Sequence, residues 1–162
     1  MSLRIIAIGG TFDKHYDPLT GHLYFRDSVL PEALDRARLT LPVVFESLLA
    51  LDSLDMQDSH RRQIREACER SAEDRIVIVH GTDTMPETAQ VLGRSELNKT
   101  VILTGAMVPY RVAQSDALFN LGFACAAASL AAAGVYIAMN GQIFPWDDVM
   151  KNRDQGVFQP LR

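Results

Sequence analysis

The stretch Ile76–Met85 reads IVIVHGTDTM, and the prediction of the fold starts from it. Four β-branched residues, Ile76 to Val79, follow one another without polar alternation, which is typical of a parallel strand covered on both faces. The run ends abruptly in a polar segment, His80 to Thr84. Because open α/β sheets bind ligands at the carboxyl ends of their strands, this segment is a candidate ligand loop.

Strands and helices alternate on both sides of this stretch. The other predicted strands are Leu3–Ile8, Leu41–Phe45, Thr100–Thr104 and Val135–Met139. The predicted helices are Leu30–Arg38, Asp58–Ala72, Pro86–Leu92 and one from Gln114 or Ser115 to Ala133, ended by Gly134 as its C′ residue. This order predicts an α/β fold of three layers, αβα, around a mostly parallel sheet. Residues 140–162 are predicted to be irregular. The right-handed crossover rule places the strand ends on one edge.

The composition is that of a globular protein and argues against several partners. With 162 residues, the chain is predicted to form a single domain, 1–162. The net charge is −4 and no block of lysine and arginine occurs, so nucleic acid is not an expected partner. The N-terminus lacks the charged region and long apolar run of a signal peptide, which predicts a cytoplasmic protein.

Cysteine spacing and the longest apolar run argue against a metal-binding protein and against a membrane protein. Cys68 and Cys125 lack metal-ligand spacing and are interpreted as reduced core residues, so no metal site is expected. The run from Ala117 to Ala133 contains Asn120 and Ser129, so its length and polarity are marginal for a membrane span. It is predicted to be a buried or interface helix, and no membrane partner is expected.

Glycines or polar residues follow most of the predicted strands. The groups expected to converge at the shared edge are Thr11, Ser53, Thr82, Asp83, Ala106 and Lys151. Gly9 and Gly10 after the first strand indicate either a plain turn or a close approach of ligand to backbone. Asp13–Gly21 is predicted to be a mobile loop, in which Tyr16 is either a lid residue or a surface residue without a role.

Acyl transfer is the chemistry that these groups suit. The chain has no G-x-S-x-G elbow, no H-E-x-x-H motif and no phosphate-binding glycine fingerprint. Backbone N–H groups beside Gly10, Gly81 and Gly105 suit an oxyanion hole, and a threonine becomes a nucleophile once a base takes its proton. Lys151 serves as that base only if burial lowers its pKa from about 10.4. Ordinary turn threonines remain an open alternative.

Five motifs resemble those of the bacterial-type L-asparaginases. They are IGGTF (8–12), HGTDTM (80–85), LTGAMVP (103–109), SDALFNL (115–121) and VYIAMNG (135–141). GGT followed at a distance by HGTDTM is a specific pair, far stronger than a lone glycine motif. The resemblance covers nearly the whole chain but only the N-terminal domain of the family, as in its short-chain form, and it implies a Rossmann-like fold.

This resemblance implies hydrolysis of L-asparagine to L-aspartate and ammonia without a cofactor. It implies that Thr11 is the nucleophile that forms an acyl-enzyme and that Tyr16 assists it. Thr82, Asp83 and Lys151 are the second catalytic group by the same resemblance. The implied substrate-binding residues are Gly10, Ser53, Gly81, Asp83 and Ala106.

Two departures from the family pattern affect the expected substrate binding. The chain reads Ser53-Leu54-Asp55-Met56 where the family commonly has Ser-Gln before Asp-Met, so one polar contact is missing. Full-length members complete the site from a neighbouring subunit's C-terminal domain, which these residues do not include. A homo-oligomer whose other copy supplies replacements is expected, or else weaker binding of the amino group. The alternatives are a non-catalytic module for aspartate or asparagine, and an amidase for another substrate such as L-glutamine.

Overall fold

The structure is a computed structural model that describes all residues from Met1 to Arg162. The strands are β1 (Leu3–Gly9), β2 (His15–Tyr16), β3 (Leu23–Tyr24), β4 (Val43–Leu51), β5 (Arg75–Val79), β6 (Thr100–Thr104), β7 (Gly134–Met139), β8 (Gln142–Pro145), β9 (Met150–Asn152) and β10 (Val157–Gln159). The α-helices are α1 (Leu30–Arg36), α2 (Asp58–Arg70), α3 (Met85–Gly93) and α4 (Ala117–Leu130). Short 3₁₀ turns cover Thr11–Asp13 and Ser53–Asp55.

Six strands form the main sheet in the order β4-β1-β5-β6-β7-β8. The first five of these are parallel, and β8 runs antiparallel to β7, which confirms the mostly parallel α/β sheet. Ala7 pairs with Val79, and Val79 pairs with Thr104, so β5 and β6 end level with each other and β1 runs two residues further, to Gly9. The segments after these strands therefore lie side by side.

The sheet is covered on both faces by clusters of equal size, 19 buried residues each. Alternate side chains of β1 divide between them: Ile5 packs with α1 and α4, whereas Ile6 packs with α2 and α3. This arrangement confirms the three layers. All four residues of the run Ile76–Val79 are buried, as a strand covered on both faces requires.

Both cysteines are free and buried in this core, as predicted. Burial raises the pKa of the Cys68 thiol to about 12 and that of Cys125 to about 11. Both thiols therefore stay protonated near neutral pH and are unreactive, because only the thiolate is a good nucleophile.

The prediction of an irregular segment at residues 140–162 is wrong. β8 extends the main sheet, and β9 pairs with β10 as a separate hairpin. Asn140 and Gly141, with φ of 56° and 71°, form the two-residue turn between β7 and β8. Asn-Gly between two strands is a strong hairpin signal, because both positions favour positive φ. The short strands that follow carry no comparable apolar run, so their pairing left little trace in the sequence.

Two further element predictions need correction. β4 was expected over Leu41–Phe45 but covers Val43–Leu51, because an edge strand paired only with β1 tolerates polar residues on its open side. The Ala-rich helix begins at Ala117, with Asp116 as its N-cap, rather than at Gln114 or Ser115.

The same helix ends earlier than predicted. α4 stops at Leu130, and Gly134 is therefore no C′ residue but the first residue of β7. Its N–H donates to the carbonyl oxygen of Lys99 at 2.9 Å, which fixes the start of the strand. No helix of this chain combines the length and apolar character that crossing a bilayer demands.

Candidate active site

The segments that follow β1, β4 and β5 meet in backbone contact. A Cβ added to Gly10 would lie 2.4 Å from the Cα of Gly81, and one added to Gly81 would lie 2.7 Å from the Oγ of Ser53. Such approaches are possible only without a side chain. The N–H of Gly10 donates to the carbonyl oxygen of Leu51 at 2.8 Å. Gly10 therefore contributes to the site by allowing this close approach of the two loops. Its own N–H already has an acceptor and is not offered to a ligand.

Lys151 lies at the centre of the polar groups at this edge. Its Nζ is 2.8 Å from the Oγ1 of Thr82 and 2.7 Å from the Oδ1 of Asp83. The lysine side chain is only 8% exposed. An ammonium group has only donors, so Lys151 donates to both oxygens, and the hydroxyl of Thr82 donates to the sulfur of Met107 at 3.7 Å, which is only a weak acceptor. The β9–β10 hairpin brings Lys151 here from 69 residues away in sequence.

Thr11 begins the 3₁₀ turn that follows Gly10 and is half-buried. None of the side-chain hydrogen bonds of the chain involves its hydroxyl group. A hydroxyl with no competing partner is available to a substrate or to a base. The structure thus places Thr11 directly beside the contact of Gly10 with Gly81.

An ion pair joins the Thr11 turn to the Ser53 turn. The Nζ of Lys14 donates to the Oδ2 of Asp52 at 2.7 Å, and the Oδ1 of Asp52 accepts the N–H of Leu54 at 3.2 Å. The hydrogen bond from Lys14 is the main reason that the pKa of Asp52 lies below its ordinary value, against the opposing effect of burial. Asp52 belongs to the polar cluster that follows the second predicted strand, but its pairing with Lys14 is not predictable from the sequence, because no local motif links residues 38 positions apart.

The last residue of the Thr11 turn, Asp13, is anchored to the start of α1. The Oδ1 of the buried Asp13 accepts the N–H of Val29 at 2.8 Å and the hydroxyl of Ser28 at 2.9 Å. Burial raises the pKa of Asp13, while these two hydrogen bonds work in the opposite direction. The carboxyl end of the turn that carries Thr11 is therefore tied both to the Ser53 turn and to the start of α1.

Ser53 is buried and contacts the loop after β5 through both of its oxygens. Its Oγ accepts the N–H of Thr84 at 3.2 Å, and its carbonyl oxygen accepts the hydroxyl of Thr84 at 2.8 Å. The proton of the Ser53 hydroxyl is not used in these contacts. It remains available to an acceptor such as a carboxylate.

The start of α4 fixes the loop that contains the buried Ala106. The carboxylate of Asp116 accepts the N–H groups of Met107 and Val108 at 3.0–3.1 Å. The Nδ2 of Asn120 donates to the carbonyl oxygen of Gly105 at 2.9 Å. Asp116 and Asn120 were not predicted as site residues, although their i, i+4 spacing at a helix start was a readable signal.

The predicted site residues do not all come into contact. Gly10, Ser53, Gly81, Thr82, Asp83 and Lys151 are linked by the contacts described above. Tyr16 lies on the β2–β3 hairpin and is 54% exposed, and no hydrogen bond joins it to Thr11. Its assisting role stays a prediction. No group of three His, Cys, Asp or Glu side chains is arranged to hold a metal ion.

The family of the chain follows from a comparison of its sequence with family models. The model described as "Asparaginase, N-terminal" matches residues 2–158. The chain belongs to the asparaginase family. L-asparaginase 2 of Escherichia coli strain K12 is 32% identical over 168 residues, which cover 96% of this chain and 48% of that protein. A glutamyl-tRNA(Gln) amidotransferase subunit from Methanococcus vannielii is 35% identical over 167 residues, which cover 96% of this chain and 37% of that protein.

Solved asparaginase structures share the same fold. The thermostable L-asparaginase from Thermococcus kodakarensis superimposes with a TM-score of 0.87 at 29% identity, covering 99% of this chain and 51% of that one. The Rossmann-like architecture implied by the sequence motifs is thereby confirmed. The chain spans about half the length of this asparaginase and of L-asparaginase 2, and a smaller share of the amidotransferase protein.

Proposed function

We propose that this asparaginase-family chain hydrolyses L-asparagine to L-aspartate and ammonia through an acyl-enzyme on Thr11. One observation carries the proposal: the contact of Lys151 with Thr82 and Asp83, beside the point where Gly10 and Gly81 meet. A buried lysine that bridges a hydroxyl and a carboxylate is an arrangement suited to proton transfer. Membership of the family supports the choice of a side-chain amide as the substrate.

In the proposed reaction, the Oγ1 of Thr11 attacks the carbonyl carbon of the side-chain amide. The bond to the amide nitrogen breaks, ammonia leaves, and water then hydrolyses the threonine ester. The proton that Thr11 loses balances the proton that the leaving nitrogen gains. We assign protonation of that nitrogen to Thr82, whose hydroxyl is held only by the weakly accepting sulfur of Met107. Thr82 regains a proton from Lys151, and the proton released by Thr11 restores the charge of the lysine. Tyr16 assists Thr11 when its loop closes.

The other residues hold the two ends of the substrate. Ser53 offers its unused hydroxyl proton to the α-carboxylate, and the backbone at Gly81 lies beside it. The partly exposed carboxylate of Asp83 attracts the α-amino group. Ala106 lies near the side-chain amide on a loop that Asp116 keeps in place.

The nucleophile assignment predicts that Thr11→Ala abolishes activity. Ammonia release from L-asparagine should fall by roughly 10³-fold or more, because no other group replaces the attacking oxygen. The matched control is Thr40→Ala, since Thr40 precedes the amino end of β4, away from the strand ends that form the site. A Thr11→Ala protein that folds and keeps wild-type ammonia release would exclude Thr11 as the nucleophile.

The same assay separates the two alternatives. L-glutamine is longer than L-asparagine by one methylene group, and an enzyme typically discriminates against such a group by only about 1–3 kcal/mol. Ammonia release from L-glutamine should therefore be measured beside that from L-asparagine. The similarity to an amidotransferase protein makes a different amide substrate a specific second candidate. If calorimetry detects aspartate binding while no amide yields ammonia, the chain is a non-catalytic binding module instead. The cytoplasmic location stays a prediction.

A further inference from the structure

His80 is completely buried beside the candidate site, and the proposed reaction does not use it. Its Nδ1 lies 2.7 Å from the carbonyl oxygen of Gly81, and its Nε2 lies 2.8 Å from the Oγ1 of Thr88 in α3. A carbonyl oxygen only accepts, so Nδ1 carries the proton. Burial lowers the pKa of His80 to about 4, so the imidazole is neutral at pH 7 and Nε2 must accept from Thr88.

Behind Thr88 lies the guanidinium group of Arg61 in α2, which is also buried. Its Nε is 3.2 Å from the Oγ1 of Thr88, and a guanidinium group can only donate. The donors therefore all point one way: Arg61 donates to Thr88, Thr88 to His80, and His80 to the Gly81 carbonyl oxygen. The sulfur of Met56, 3.6 Å from the Thr88 hydroxyl, is only a weak competing acceptor.

The end of this chain of hydrogen bonds sets the orientation of one peptide group. Every peptide bond of the protein is trans, so the N–H of Thr82 points away from the Gly81 carbonyl oxygen and hence away from His80. That N–H donates to no other group of the chain. A change of ψ at Gly81, which would break the hydrogen bond with His80, would move the N–H and the side chain of Thr82 together, relative to Lys151.

We propose that His80, held by Thr88 and Arg61, is a positioning residue that fixes the Gly81–Thr82 peptide group and thereby aims Thr82 at Lys151. The inference rests on the proposed function for its catalytic consequence. It adds a role for three residues that touch neither substrate nor reacting atoms. The loop between β5 and α3 is then oriented from the core of the protein rather than by its own turn geometry.

The test compares Thr88→Val, which removes the hydroxyl at nearly equal volume, with Thr88→Ser, which retains it. We expect Thr88→Val to lower kcat by about 10-fold or more while KM changes less than about threefold, because Ser53 is held by Thr84 and not by His80. Thr88→Ser should restore kcat to within about threefold of wild type. A folded Thr88→Val protein with wild-type kcat would overturn the proposal.

The matched control is Thr100→Val. Thr100 is likewise buried and accepts a hydrogen bond from an arginine, Arg75, at 2.8 Å, but it lies at the amino end of β6. Its variant should lose stability without losing kcat per folded molecule. An equal fall of kcat in Thr100→Val and Thr88→Val would mean that the effect is general destabilisation, which also overturns the proposal.

An NMR measurement that needs no turnover tests the positioning role of His80 independently of the proposed function. In ¹⁵N spectra, His80 of the wild type should show the Nδ1-protonated neutral form, and the Thr82 amide signal should move in Thr88→Val but return in Thr88→Ser. If wild type releases no ammonia, the proposed function fails while these signals still decide the positioning role.

If Thr88→Val does not fold, His80→Asn replaces it, since its amide retains a donor near the Nδ1 position and should preserve the Thr82 signal. An unmoved Thr82 signal in a folded Thr88→Val protein, or a displaced one in His80→Asn, overturns the proposal.

Discussion

Burial gives His80 a fixed charge state near neutral pH. Removal from water is the largest cause of its low pKa, about 4 against the ordinary 6.5, and the positive charge of Arg61 acts in the same direction. The hydrogen bond with the Gly81 carbonyl oxygen opposes both, because it favours a protonated nitrogen. The folded protein therefore holds an imidazole that resists protonation.

This pKa difference predicts a specific loss of stability in acid. Above pH 6.5 His80 is neutral in both the folded and the unfolded state, and its contribution to stability is complete. As the pH falls from 6.5 towards 4, the unfolded chain takes up the proton first, and the free energy of unfolding should decrease by up to about 3 kcal/mol. Urea unfolding at several pH values measures this decrease. His80→Asn should show a shallower pH dependence, and equal slopes in the two proteins would contradict the prediction.

Single positions also show how far the sequence could identify the site. Thr11, Thr82 and Asp83 follow predicted parallel strands, so topology alone placed them at one edge. His80 ends the same strand, but its role depends on Thr88 and Arg61 in two different helices. A network that spans three elements has no periodic signature in the sequence. The contact of Lys151 with Thr82 was likewise expected only from the family resemblance.

Among the elements, the buried parallel strands were predictable and the short hairpins were not. β5 and β6 are continuous apolar runs, because each is covered on both faces. β9 and β10 are three residues long each and pair only with one another. Their register is set by local hydrogen bonds and packing rather than by an apolar pattern. Lys151 nevertheless lies on β9, and this hairpin positions it at the site. The most chemically important part of the tail was thus the part with the weakest sequence signal.

The α4 helix predicts association between copies of the chain. It carries no ionisable side chain apart from the buried thiol of Cys125, and its outer face presents Phe119 at 63% and Leu130 at 87% exposure. Exposed apolar groups clustered in this way favour a contact that removes them from water, and we expect a second copy as the partner. Light scattering should therefore give a mass above that of the monomer.

Charge substitutions on this face test the expected oligomer. The double variant Phe119→Glu with Leu130→Glu should shift the mass towards the monomer, because carboxylates resist burial without partners. Leu19→Glu is the matched control, since Leu19 is also exposed but lies outside α4. A wild-type protein that is monomeric throughout the measured concentration range would refute the prediction.

At the scale of the whole molecule, the two buried clusters share one sheet. Neighbouring residues of β1 contribute to opposite clusters, so neither cluster can lose its packing without exposing the sheet. We therefore propose that residues 1–162 behave as a single folding unit. The lone Trp146 lies against Gly93 of α3, where a Cβ would come within 2.1 Å of its ring, and it reports on one of the two clusters.

One cooperative transition is the expected result of chemical unfolding. Fluorescence of Trp146 follows the cluster with α2 and α3, while far-ultraviolet circular dichroism follows all four helices. The two signals should give the same midpoint and slope, as two-state unfolding requires. Separate midpoints would show that the α1 and α4 layer unfolds independently and would refute the single unit.

The contact of Gly10 with Gly81 limits how this protein can be redesigned. Where a pocket wall is a side chain, mutagenesis can widen, narrow or recharge it. Here a methyl group on Gly10 would overlap the main chain of Gly81, and one on Gly81 would overlap Ser53. Libraries that randomise positions 10 and 81 should return glycine alone. Any change of substrate preference must therefore come from positions whose side chains face the site, such as Ser53.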